Sequence, residues 1–133
     1  GALRAQSLPA TEWELVVVDN NSAPPLATWL DLTGFPAARL VTESAQGFTP
    51  ALIRSLREVT TELCVLVHDD NILAPDYLAQ ILQLARETPD LGAWGGGYQP
   101  EYEEAPDPAL APFLVYLAVN PVTQDCVSRR LYD

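Results

Sequence analysis

The sequence predicts an α/β fold: a mostly parallel sheet flanked by helices. Two observations carry this. Short apolar runs rich in β-branched residues alternate with segments of helical period, and the first and third of these runs stop abruptly in turns built from Asp and Asn. Strands alternating with helices are joined by right-handed crossovers, and ligands bind in such sheets at the carboxyl ends of the strands. The acidic turns lie at those ends.

Leu15 to Val18 is a continuous run with the character of a strand buried on both faces, halted by Asp19, Asn20, Asn21 and Ser22. A short, weaker helix covers Leu26 to Leu32. Ala38 to Val41 gives a second strand. Thr49 followed by Pro50 supplies an N-cap and a proline at the first helical position. The helix they open carries Leu52, Leu56 and Val59 on one face and runs to about Thr60. Leu63 to Val67 is expected as a third strand, stopped by His68, Asp69, Asp70 and Asn71. A further helix starts near Pro75, places Leu78, Ile81, Leu82 and Ala85 at helical spacing, and ends at Thr88 because a residue before proline disfavours the α region. Gly95, Gly96 and Gly97 follow an apolar strand and mark either a bend or a close backbone approach. From Tyr98 to Pro112 four prolines leave no period, so a long surface loop is expected. After Phe113 the chain is apolar without a firm period.

At 133 residues the chain fits a single domain, and 48% hydrophobic against 19% charged residues is the balance of a packed protein, not a disordered one. The net charge of -11 repels a phosphate backbone and an anionic bilayer, which argues against nucleic acid and membrane surfaces as partners. An anionic nucleotide remains compatible with it if a divalent cation sits between its phosphates and a few carboxylates. Two cysteines, Cys64 and Cys126, without metal-ligand spacing, point to a reducing, cytoplasmic setting. No apolar stretch reaches the ~20 residues of a membrane span, and no basic segment opens the chain. The sequence has no lysine and no Walker-type phosphate loop, so phosphate charge would fall to a metal and a few arginines.

The candidate chemistry lies at the two acidic turns. Adjacent carboxylates at Asp69 and Asp70 repel one another, and a hard divalent cation, magnesium or manganese, relieves that repulsion. The same residues with Asn71 also satisfy an Asx-type turn that needs no ligand, and Asp19 has the same alternative reading. Glu101, Glu103, Glu104 and Asp107 read as a solvated acidic loop beside Tyr98 and Tyr102.

The segment from Glu14 through Asp19 to Ser22, then Gln46 and Gly47, then Leu63 to Asn71 and Ala74 to Leu78, resembles in order and spacing the inverting family-2 glycosyltransferases of the GT-A fold. Gly92 to Gly96, Pro100 to Glu103 and Pro112 to Leu114 look like those of bacterial members acting in polysaccharide or glycan assembly. The resemblance spans residues 3 to 120. It implies transfer of a sugar from a nucleotide-diphosphate donor, a UDP- or GDP-sugar, to a hydroxyl of a glycan or lipid-linked acceptor. It further implies that Asp19 contacts the base, that Asp69 contacts the ribose, and that Asp70 holds a divalent manganese or magnesium ion, with His68 where the family has its first Asp. Leu52 and Ile53 depart from the family's polar Ala-Arg-Asn type segment, and Arg54 either contacts phosphate in their place or, as an arginine one turn into an amphipathic helix, simply lies on the solvated face. The first strand preceding Gly1 and the acceptor half with its general base are expected to lie outside the sequence, so that an incomplete GT-A domain results. A noncatalytic nucleotide- or sugar-binding module of the same fold is the alternative. A homodimer through Phe113 to Val119 is a further expectation from hydrophobicity.

Overall fold

The structure is a computed structural model and describes residues 1 to 116. It divides into two compact units, residues 1–87 and the chain from Thr88 onward.

In the first unit a 3-10 turn at Ala2–Ala5 precedes strand β1, Leu15–Asp19. A second 3-10 turn, Leu26–Thr28, leads to strand β2, Ala38–Thr42. The two strands pair in parallel with Leu15 opposite Ala38 and Asp19 opposite Thr42. One further ladder bond, from Glu43 N–H to the Asp19 carbonyl at 2.9 Å, carries the pairing past the end of β2. Helix α1, Phe48–Arg57, packs against β1, and helix α2, Tyr77–Glu87, closes the unit.

Helix α1 begins two residues earlier than a Thr49 cap with Pro50 as first helical residue predicts. Gly47 is its N-cap, at φ 125°, and no side chain caps the helix. Pro50 therefore falls in the first turn, where its missing N–H costs no helical bond. The helix ends at Arg57, short of Thr60. Leu52 and Val59 of its expected apolar face are half-buried, while Leu56 is exposed. Helix α2 follows its predicted stripe closely: Leu78 is buried, Ile81, Leu82 and Ala85 are half-buried, and Gln80, Gln83 and Arg86 between them are exposed.

Residues 63–67 form no strand. Among the described residues the sheet has only β1 and β2, and no strand pairs with the other edge of β1. Strand propensity was present, but a strand exists only through a neighbour's hydrogen bonds. In the second unit the apolar residues before Gly95 likewise form no strand, and a Cβ added at Gly95 would meet open space, so no close approach requires that glycine. The expected loop ends at Asp107, because Pro108–Tyr116 is 3-10 helical with Pro112 inside it. Asp107 starts this helix: its side-chain oxygen accepts the Ala109 N–H at 2.8 Å and its carbonyl accepts the Leu110 N–H at 2.8 Å. Residues 117–119 of the apolar C-terminal segment, and Cys126, lie outside the described residues.

Leu78 is the one hydrophobic residue in the described chain classed as buried, at 9% exposure. Position is instead fixed largely by side chains that bind distant backbone. Gln6 accepts the Leu78 N–H at 3.0 Å and donates to the Ala74 carbonyl at 2.8 Å, while Ser7 N–H donates to the Pro75 carbonyl. The N-terminal segment thereby supplies a cap that α2 would otherwise lack. Arg39 of β2 pairs with Glu14 at 3.0 Å and Glu58 at 3.5 Å, and it donates to the Glu58 carbonyl. Arg4 pairs with Asp31, donates to the Thr33 carbonyl and lies over the Phe35 ring. Removing the Gln6 amide leaves the Leu78 N–H without its partner, so Gln6→Ala is expected to lower unfolding free energy by about 1 to 2 kcal/mol. Urea unfolding monitored by circular dichroism checks this; an unchanged midpoint would refute the cap.

Candidate functional site

The site is assembled at the carboxyl end of β1. Asp19, the last residue of that strand, is 4% exposed and is the one buried polar residue in the described chain. One carboxylate oxygen accepts the Ser22 N–H at 2.8 Å and the other accepts the Leu26 N–H at 2.9 Å. The carboxylate thus folds the 20–26 loop back onto the strand tip and starts the 3-10 turn at Leu26. Backbone donation from Ser22 and then Leu26 holds the Asp19 carboxyl below its ordinary value of 3.8, against the opposing effect of burial. Asn21 in this loop has φ 61°, a left-handed conformation that Asn tolerates.

Asn20 organises the loop on the other side. Its side-chain NH2 donates to the carbonyls of Glu43 at 3.0 Å and Ala45 at 2.7 Å, and its side-chain oxygen accepts the Gly47 N–H at 2.7 Å. A reversed amide would face two carbonyls with an oxygen, so the network fixes its orientation. The Glu43 carboxylate accepts the Ala45 N–H at 2.8 Å within the same loop.

Gly47 leads into Phe48, and the Phe48 ring lies 5.4 Å from the His68 ring, centroid to centroid. The His68–Asn71 turn is thereby brought to the first residue of α1. Within the turn Asn71 N–H donates to the His68 carbonyl at 3.2 Å, and the Asn71 side chain bridges the His68 N–H and the Asp70 carboxylate at 3.4 and 3.1 Å. His68, Asp69 and Asp70 are all exposed. Asn71 closes the turn from its far end, accepting an N–H three residues before it, whereas an Asx turn takes one two residues after, and Asp69 is left without a protein partner among the described residues.

Among those residues no three His, Cys, Asp or Glu side chains converge into a metal cluster. The donor set suits a cation that keeps several waters and takes one or two carboxylates together with substrate phosphates, as magnesium does. Asp69 and Asp70 fit that limited demand, being exposed oxygen ligands with no Arg paired to them among the described residues. Arg54 does not reach toward phosphate: it binds Glu58 at 2.8 Å and the Thr42 carbonyl at 3.1 Å. Sequence reasoning missed Asn20, whose partners lie 23 to 27 residues away and leave no local signature.

The Asp19 bonds have a pH signature. A carboxyl held below its unfolded value stabilises the fold above that value and stops doing so as pH falls through the folded one. The stability difference between the parent and Asp19→Asn is therefore expected to be constant above about pH 5 and to shrink progressively below pH 4. Melting temperatures across pH 2.5 to 7 read this out, and a difference that grows on acidification would contradict it.

A cavity of about 190 Å³ also opens beside Arg4, Trp13 and Phe35, but its described polar groups are already committed, Arg4 to Asp31 and Thr33 and the Trp13 indole N–H to the Leu8 carbonyl. It contains none of the acidic-turn residues. No helix among the described residues is long and apolar enough to cross a membrane. No curated protein and no solved structure matches the chain. The sequence profile of Glycosyl transferase family 2 matches residues 2–123, which takes in both strands, both helices and the two acidic turns. On that match the chain belongs to glycosyl transferase family 2, and its sheet and helices are part of that family's Rossmann-like α/β domain.

Proposed function

We propose that this chain binds the nucleotide-diphosphate sugar donor of an inverting glycosyl transfer at the carboxyl end of β1. The observation that carries the reading is the buried, ionised Asp19 at a parallel strand tip, bound to the loop that follows it, with the His68–Asn71 turn set against Phe48 at the start of α1. Each Asp19 oxygen keeps a lone pair beyond its backbone bond, and one of these lone pairs accepts an N–H of the base. Asp69 takes a ribose hydroxyl. Asp70 is the residue to hold a divalent magnesium or manganese ion, and His68 beside it is a second candidate ligand that suits manganese better. When bound, the cation neutralises charge on the departing diphosphate.

In the reaction an acceptor hydroxyl oxygen forms a bond to the anomeric carbon while the bond from that carbon to the diphosphate breaks, and the hydroxyl proton passes to a general base. The acceptor is a hydroxyl of a glycan or lipid-linked glycan, in bacterial polysaccharide or glycan assembly in the cytoplasm. Exposed Phe113 and Tyr116 keep pairing of two copies through residues 113–119 as part of the reading. A second reading, donor binding without transfer, is favoured by His68 in place of an acidic residue and by the commitment of Arg54 to Glu58 and Thr42.

Calorimetric titration of UDP and, in parallel, GDP tests the reading. Binding of one of them with manganese, weakened at least about tenfold without the metal or by Asp70→Ala, is the expected result. Absence of binding under every condition would refute it, and metal-dependent binding without sugar transfer would establish the second reading.

A further inference from the structure

We propose that Asn20 is a positioning residue for the donor nucleotide, acting through the loop between β2 and α1; the inference rests on the donor-site reading above. Asp19 and Asn20 are adjacent, yet their side chains divide the strand tip between them. Asp19 takes the N–H groups of Ser22 and Leu26, and Asn20 takes three backbone groups of Glu43, Ala45 and Gly47. Apart from the Glu43 N–H on the Asp19 carbonyl at its start, the second loop is otherwise weakly specified. Its internal support is the Glu43 carboxylate on the Ala45 N–H, its last residue is a glycine at φ 125°, and α1 begins there with no side-chain cap.

Two carbonyls and one N–H turned toward a single amide set where α1 starts. Phe48 is the next residue, and its ring meets that of His68. Asn20 therefore couples the β1 tip to the turn carrying Asp69 and Asp70 through two contacts, its bond to Gly47 and the Phe48–His68 ring pair, without itself touching the nucleotide. An aspartate of the same shape has no N–H to donate, and its charge would face the carbonyls of Glu43 and Ala45. Alanine deletes all three bonds.

The test uses the full chain, with UDP and GDP as probes in the presence of manganese, and compares the parent with Asn20→Ala and Asn20→Asp. A control, Arg4→Ala, breaks contacts to Asp31 and Thr33 outside this loop. Both Asn20 variants are expected to bind the preferred nucleotide at least roughly tenfold more weakly at a temperature where each is fully folded. Amide exchange should speed up at Gly47 and the first turn of α1 without a matching rise in α2. The Arg4 control should lose thermal stability and keep the parent's nucleotide affinity. If the parent binds and the Asn20 variants bind equally well, the inference is overturned and the donor site stands. Affinity loss that merely tracks melting temperature, control included, would also overturn it. A parent that binds neither nucleotide would instead remove the donor-site reading and the inference with it.

Discussion

The Asp19 carboxylate is the constraint on which the rest of the site depends. A buried carboxylate is costly unless its oxygens are hydrogen-bonded, and here both are occupied by backbone N–H groups of the loop that follows. That requirement fixes the loop to the end of β1. The parallel ladder then fixes β2 beside it, through Asp19 opposite Thr42 and the Glu43 N–H on the Asp19 carbonyl. Asn20, the very next residue, extends the same control to the start of α1. One strand tip thus sets the position of two loops and a helix terminus, the place where an α/β sheet presents its ligand-binding groups.

Apolar burial alone does not explain the arrangement of the first unit. With Leu78 the one buried hydrophobic side chain described, and Ile53, Leu56, Leu66 and Ile72 exposed, side-chain to backbone hydrogen bonds specify geometry that a thick core would otherwise impose. Gln6, Asn20, Arg39 and Arg54 bind carbonyls or N–H groups far along the chain, and Asp19 binds those of the loop that follows it. Such bonds contribute modestly one by one but are directional, so they select a register and a loop path rather than mere compactness. The same logic makes the site sensitive to single polar substitutions that would be mild on an ordinary surface.

The sequence made visible those features whose causes are local. The apolar period of α2 and its stop before Pro89 are both present in the structure, as are the parallel character of β1 and the turn-forming residues after it. The start of α1 was misplaced by two residues because Thr49 and Pro50 read as a cap and first helical residue, while the actual cap, Gly47, is positioned by Asn20 at the tip of β1. Residues 63–67 carried strand propensity but no information about a partner. Asp107 before Pro108 was a local signal for a helix start that the density of prolines obscured. Within the site, Asp19, Asp69 and Asp70 were legible as carboxylates at turns. That Asp19 already accepts two backbone bonds, and that Asn71 engages Asp70, became visible only in three dimensions.

The central claim, that the donor nucleotide sits at the tip of β1, is most directly tested by amide chemical-shift mapping of the nucleotide-bound protein. The account predicts that the perturbed amides cluster at Ser22, Leu26, Gly47 and His68 to Asn71. Shifts concentrated instead around Arg4, Trp13 and Phe35, at the cavity removed from the acidic turns, would contradict it.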